Sequence, residues 1–227
     1  MVLFPILSIL ILICATVNIR AEYLGPRGYI YVFKPLTTIL ILVLALVLLP
    51  PADPEYRTWI VLGLLFSLAG DIFLMLPSDK FIQGLISFLI AHIFYLIAFT
   101  GTSELHFNSG LFPFFLCYGA VLLYILMPVV SKGLRWPVIV YALTLLLMGS
   151  QAVERWHLLQ DITAFCAAAG GVLFIISDSL LALNRFRKPF HSARLLTLST
   201  YFLAQWLIAL SVHGVQAERV YVLVRQG

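Results

Sequence analysis

Eight apolar runs, most of them long enough to cross a bilayer, determine what this chain can fold into. They cover residues 2–19, 30–49, 59–76, 82–100, 110–130, 136–150, 162–183 and 195–213. A spanning helix needs about 20 mainly apolar residues. Only 11% of the 227 residues are charged, whereas soluble domains carry about a quarter. We therefore expect a single integral membrane domain over residues 1–227, with about eight transmembrane helices.

The runs are predicted to be helical. Inside a bilayer, backbone polar groups must be satisfied within the protein, which only helices and closed barrels achieve. The strict alternation of polar and apolar residues that marks a membrane barrel strand is absent from this sequence. The predicted fold class is therefore all-α, a polytopic membrane bundle.

The basic residues predict the orientation of the bundle. Ten of the fourteen Lys and Arg residues lie in the odd-numbered connectors between runs, and such an excess is typical of cytoplasmic loops. We expect these connectors to face the cytoplasm and both termini to face the opposite side, in the inner membrane if the host is a bacterium. The net charge of +4 is thus read as a topology signal, and no nucleic-acid partner is expected.

A weak internal repeat relates the second to fourth runs to the sixth to eighth. Lys34-Pro35 corresponds to Trp136-Pro137, and Gly70-Asp71 corresponds to Ser177-Asp178. In the fourth and eighth runs, Phe88 and Ala91 correspond to Tyr201 and Ala204. An offset of four helices would give both halves the same orientation in the membrane.

Two aspartates, Asp71 and Asp178, lie inside apolar runs without a charged residue within one helical turn. A carboxylate in hydrocarbon costs several kcal/mol, so an intramembrane acid is by default a candidate functional residue. At 1.5 Å per residue, both lie roughly 9 Å inside the same face of the membrane. They are the candidate catalytic residues, the alternative being a structural hydrogen-bond clamp.

Further polar residues enter the bilayer from that same face and predict a polar cavity. The candidate substrate-binding or supporting residues are Lys34, His92, Tyr95, Tyr141, Tyr201 and Gln205. Lys34 could instead anchor its helix in the headgroup region. The other five could equally serve only in helix packing.

The chemistry open to these residues is limited. Zinc sites usually use three or more protein ligands, and His92 alone among the histidines lies deep in a run. No G-x-S-x-G elbow of a serine hydrolase occurs. Two carboxyl groups in a low-dielectric pocket can divide their roles, one protonated as general acid and one ionised as base. Such a pair suits hydrolysis of acid-labile C–O bonds.

The order and spacing of several segments resemble the YhhN-like lysoplasmalogenase family, which includes the transmembrane protein 86 enzymes. The segments are Phe33-Lys34-Pro35-Leu36, Phe66 to Asp71, Gly84 to Phe99, Tyr141 with Met148, Ser177 to Ala182, and Tyr201 with Ala204-Gln205. The resemblance covers nearly the whole chain.

The resemblance implies an eight-helix bundle that hydrolyses the vinyl ether bond of a lysoplasmalogen. The products would be a fatty aldehyde and glycerophosphoethanolamine or glycerophosphocholine, and neither a metal nor an organic cofactor is expected. The expected partners are the lysophospholipid substrate and membrane lipids. The residues alone also allow a proton-coupled transporter or lipid carrier that uses the same aspartates as a relay.

Overall fold

The computed structural model describes residues 3–47, 53–101 and 105–213. These ranges contain eight α-helices and no β-strand. The helices are α1 (Leu3–Leu24), α2 (Arg27–Val47), α3 (Pro54–Met75), α4 (Phe81–Thr100), α5 (Phe112–Leu126), α6 (Arg135–Leu159), α7 (Ile162–Ala182) and α8 (Ala193–Leu210). All but α5 are long and apolar enough to cross a membrane. The predicted all-α membrane bundle is confirmed.

The predicted runs and the observed helices differ most at α5 and α6. Helix α5 has 15 residues, with Pro113 in its first turn, and it stops just before Pro128. Helix α6 continues nine residues past the predicted end at 150. Residue 2, residues 48–49 of the second run and the tail arginines at 219 and 225 lie outside the described residues.

Beyond residue 150, two polar residues of α6 form hydrogen bonds with the connector between α4 and α5. The Gln151 amide donates to the His106 carbonyl at 2.8 Å, and its oxygen accepts from the His106 backbone N–H at 3.0 Å. Glu154 accepts from the Ser109 backbone N–H at 3.0 Å. Buried polar groups need such partners, and with them Gln151 and Glu154 are each only 2% exposed on α6 beyond residue 150.

The helices pack in two similar groups of three. Helix α3 lies between α2 and α4, and α7 lies between α6 and α8; contacts of α4 with α6 and of α2 with α8 join the groups. The two groups consist of α2 to α4 and α6 to α8. Helix α1 packs on α2 and α8, and α5 packs on α6.

Glycines allow close packing in both groups. A Cβ atom on Gly70 would lie 2.5 Å from the Phe88 ring, so α4 approaches α3 closely beside Asp71. In the other group, a Cβ atom on Gly170 would lie 2.9 Å from the backbone oxygen of Ala204. Both aspartates therefore lie on helices that are tightly held by a neighbour.

Candidate active site

Asp71 lies at the centre of a buried polar cluster formed by three helices. Its side chain is 1% exposed. One carboxylate oxygen, Oδ2, accepts hydrogen bonds from the Thr38 hydroxyl of α2 at 2.6 Å and the Tyr201 hydroxyl of α8 at 2.7 Å. Lys34 Nζ lies 3.5 Å from the other oxygen, Oδ1. An adjacent cation and two hydroxyl donors favour the ionised form of a carboxylate.

Lys34 is buried with only 8% of its surface exposed. It therefore forms a buried ion pair with Asp71 and does not extend to the headgroup region as an interfacial anchor would. Removal of either partner would leave an uncompensated charge inside the bundle. This pairing makes Lys34 part of the Asp71 cluster.

Asp178 has a different environment. The Tyr141 hydroxyl of α6 donates a short hydrogen bond to Asp178 Oδ2. His92 Nε2 lies 3.8 Å from the same oxygen, which is too long for a hydrogen bond. Within the described ranges no Lys or Arg pairs with this carboxyl group, so it lacks the counter-charge that Asp71 has.

His92 is fully buried between aromatic rings. Its ring centroid lies 5.1 Å from that of Tyr141 and 4.7 Å from that of Phe174. Neither ring nitrogen has a hydrogen-bond partner among the residues that the structure describes. His92 thus contacts the Asp178 cluster mainly through ring packing.

The remaining two predicted residues, Tyr95 and Gln205, form a third cluster apart from the aspartates. The Tyr95 hydroxyl donates to the Gln205 side-chain oxygen at 2.7 Å and lies 3.3 Å from the Ser67 hydroxyl. Both Tyr95 and Gln205 are fully buried. Neither residue hydrogen-bonds to a carboxylate. The cluster instead links α3, α4 and α8 through these hydrogen bonds.

Both aspartates line one open cavity of about 530 Å³, together with Lys34 and Tyr201. Ligand pockets commonly have volumes of about 300–1,000 Å³. The cavity extends to exposed residues of the connectors between α3 and α4 and between α7 and α8. It therefore opens on the face of the odd-numbered connectors, where the sequence predicts a polar cavity.

Charged residues surround the mouth of this cavity. Arg185 pairs with Asp79 at 2.6 Å, and Arg194 pairs with Glu22 at 3.0 Å. Lys80 also lines the mouth. The sequence explains the basic connector before α8 as a topology signal or, alternatively, as a segment that attracts anionic lipid headgroups; in the structure it also lines the cavity.

Sequence reasoning missed Thr38 and the acidic partners of the arginines at the mouth, Asp79 and Glu22. Thr38 is one helical turn after Lys34, so the i, i+4 spacing places both on one face of α2. That spacing was a usable signal. By contrast, Asp79 and Glu22 lie far from the arginines in sequence, and only the folded chain brings these charges together.

The described residues contain no group of three or more His, Cys, Asp or Glu side chains placed to hold a metal ion. What the arrangement offers is proton transfer. One carboxylate has a cation and two hydroxyl donors, and the other has a single phenol donor beside an apolar wall. Such unequal surroundings separate the proton affinities of two carboxyl groups.

Comparison with known proteins gives relatives over most of the chain. The chain is 29% identical to the membrane protein YhhN of Escherichia coli over 205 residues, covering 90% of this chain and 97% of that protein. It is 36% identical to human lysoplasmalogenase TMEM86A, covering 68% of this chain and 65% of the relative. Lysoplasmalogenase TMEM86B of Mus musculus is also 36% identical, with 75% of this chain and 71% of the relative covered. No solved structure matches.

The family profile agrees with the resemblance that the sequence motifs predict. The profile of the YhhN family matches residues 29–212, which include most of α2, all of α3 to α8 and every candidate site residue. The chain therefore belongs to the YhhN family.

Proposed function

We propose that this chain is a membrane hydrolase that cleaves the vinyl ether bond of lysoplasmalogens. The observation that carries the proposal is the pair of aspartates, Asp71 fully buried and Asp178 with a side chain 10% exposed, on the wall of one open cavity. The mammalian relatives named lysoplasmalogenase support the choice of substrate. The proposed products are a fatty aldehyde and glycerophosphoethanolamine or glycerophosphocholine.

The proposed reaction begins with proton transfer from a carboxylic acid to the outer alkene carbon of the vinyl ether. This step converts the C=C bond to a C–C bond and leaves an oxocarbenium ion at the carbon attached to oxygen. Water attacks that carbon and loses a proton to a base, giving a hemiacetal. Breakage of the hemiacetal C–O bond, with proton transfer to the leaving oxygen, releases aldehyde and the glycerol hydroxyl.

Two carboxyl groups suffice for these steps. A carboxylic acid supplies the first proton, and an ionised carboxylate stabilises the positive charge of the oxocarbenium ion and accepts a proton from water. The contacts of Asp71 with Lys34, Thr38 and Tyr201 favour its ionised form. We infer that Asp71 is the carboxylate and Asp178 the acid.

The mouth of the cavity suits a phospholipid headgroup. Arg185 and Arg194 lie at the opening, each with one carboxylate partner. Arginine binds phosphate through two parallel N–H donors. A bound headgroup could therefore replace Asp79 or Glu22 as the partner of these side chains, with its phosphate held outside the aspartates.

Helix continuity favours hydrolysis over transport. Transporters often bind substrates or ions at broken helices near the middle of the membrane. Helices α3 and α7 both run without a break through Asp71 and Asp178. The rigid support of both carboxyl groups suits a catalytic site, which needs fixed geometry.

The test is aldehyde release by the purified protein. A lysoplasmalogen in detergent micelles should be consumed with formation of aldehyde, and the matched lysophospholipid with an ester in place of the vinyl ether should not be cleaved. An ester is not opened by protonation of an alkene carbon, so it controls for general lipase activity. Absence of aldehyde from well-folded protein, or equal cleavage of the ester, would contradict the proposal.

A further inference from the structure

A narrow apolar groove adjoins the polar cavity and has no role in the mechanism above. Helices α4, α5, α6 and α7 form its walls. Its apolar lining includes Leu85, Leu122, Ala142 and Leu145, and the polar side chains that reach it are Tyr141, Asp178 and Ser179. A groove of this kind offers nothing to bind a charged or hydrogen-bonding ligand along most of its length.

The groove and the polar cavity are continuous. Five residues line both spaces: Leu74, Phe81, Phe88, Asp178 and Leu181. Asp178 is the only ionisable residue among them. Asp71, in contrast, lines the polar cavity alone.

The depth of the groove fits a chain that enters from the cavity. Leu145 lies ten residues from the start of α6 and is therefore roughly 15 Å inside the membrane, whereas Tyr141 beside Asp178 lies roughly 9 Å inside. The groove thus extends beyond Asp178 toward the middle of the bilayer. The charged mouth lies on the other side of Asp178.

We propose that this groove binds the single aliphatic chain of the substrate, so that the junction between chain and headgroup lies against Asp178. The inference rests on the proposed function and specifies how the substrate is oriented. The occupant is an unbranched lipid chain because the groove continues from a cavity whose mouth carries the cations that suit a phosphate. A vinyl ether stands at the junction of such a lipid, which puts its alkene carbons next to Asp178.

The test separates chain binding from chemistry by using saturated ether lysolipids. These compounds keep the headgroup and ether oxygen of a lysoplasmalogen but have no alkene to protonate, so they bind without being cleaved. Binding of a long-chain and a short-chain compound is measured in detergent as displacement of a labelled long-chain ether lysolipid from the purified protein. The variant is Leu145→Trp, which fills the deep end of the groove, and the control is Leu143→Trp, two residues away on the lipid-facing side with 50% exposure.

We expect Leu145→Trp to weaken binding of the long-chain ether at least about tenfold relative to the short-chain ether, since one methylene in a fitted apolar pocket already changes selectivity by about 10- to 200-fold. Leu143→Trp should leave the ratio at the wild-type value. Leu122→Trp, from the opposite wall, should repeat the effect and decides the matter if Leu145→Trp does not fold. An unchanged ratio, or equal weakening for both lengths, would overturn the proposed subsite.

Failure of the proposed function gives a different result. In that case the wild-type protein releases no aldehyde from a lysoplasmalogen, whereas the chain-length dependence of ether binding is still measurable. Normal aldehyde release combined with an unchanged binding ratio would instead refute the groove alone.

Discussion

Replacement of Lys34 by methionine should destabilise the bundle and abolish activity, because it leaves Asp71 charged and without its cation. Lys34 Nζ lies 3.5 Å from Asp71 Oδ1, and both side chains are buried. At that distance two unit charges attract by about 5 kcal/mol at an effective dielectric constant of about 20. Removal of one partner of a buried pair typically costs about 3–5 kcal/mol.

The double variant Lys34→Met with Asp71→Asn should recover most of that stability. It removes both charges, and the side-chain oxygen of the introduced amide can still accept from Thr38 and Tyr201. Replacement of a whole buried ion pair by neutral groups is often close to neutral for stability. Activity should not recover, because an amide neither donates an acidic proton nor accepts one from water.

The assay is reversible unfolding in detergent, combined with aldehyde release for each variant in a double-mutant cycle. Lys80→Met is the matched control, since Lys80 lines the same cavity and forms no ion pair in the described part of the chain. Wild-type stability in Lys34→Met, or a double variant less stable than that single variant, would refute the pairing argument.

Three further predictions concern packing, hydrogen bonding and topology. Gly170→Ala should lower the free energy of unfolding by about 1–3 kcal/mol, as overpacking does, because the new Cβ atom would lie 2.7 Å from Ile208 Cγ1. Gly28→Ala is the control and should leave stability unchanged, because the space around Gly28 is open. Equal stability of the two variants would contradict the packing argument. Tyr201→Phe should cost about 1.5–3 kcal/mol, the usual range for a hydrogen bond to a charged group, and unchanged stability in detergent would argue against the Asp71 cluster. Reporter fusions at Lys80, Lys132 and Lys188 should be cytoplasmic, and a periplasmic or luminal signal at these sites would reverse the assigned orientation.

The helices could be predicted largely because their apolar runs match the thickness of a bilayer. The end of α6 could not be predicted, since Gln151 and Glu154 are too polar to be expected in the buried part of a membrane helix until their partners in the connector between α4 and α5 are known. Local sequence carries no information about partners that lie 45 residues away. The same limit explains the ion pairs at the mouth of the cavity.

The sequence predicts which residues form the candidate site, but it predicts their pairings only in part. The positions of Asp71 and Asp178 in their apolar runs predict one common depth in the membrane, and both residues line one cavity. Sequence alone could not choose the partners of Lys34, because a headgroup phosphate, the interface and either aspartate were all within its reach. Packing of α2 against α3 decides this by bringing Lys34 and Thr38 to Asp71.

The most direct test of the central claim is aldehyde release by Asp71→Asn and Asp178→Asn, measured with Asp79→Asn as the exposed control at the mouth. Each of the first two variants should lose about 10²- to 10⁴-fold in rate, and their combination should be little worse than either alone because the two groups act as a unit. Asp79→Asn should keep most of the activity. A wild-type rate in either Asp71→Asn or Asp178→Asn, with normal expression and detergent stability, would contradict the two-carboxylate mechanism.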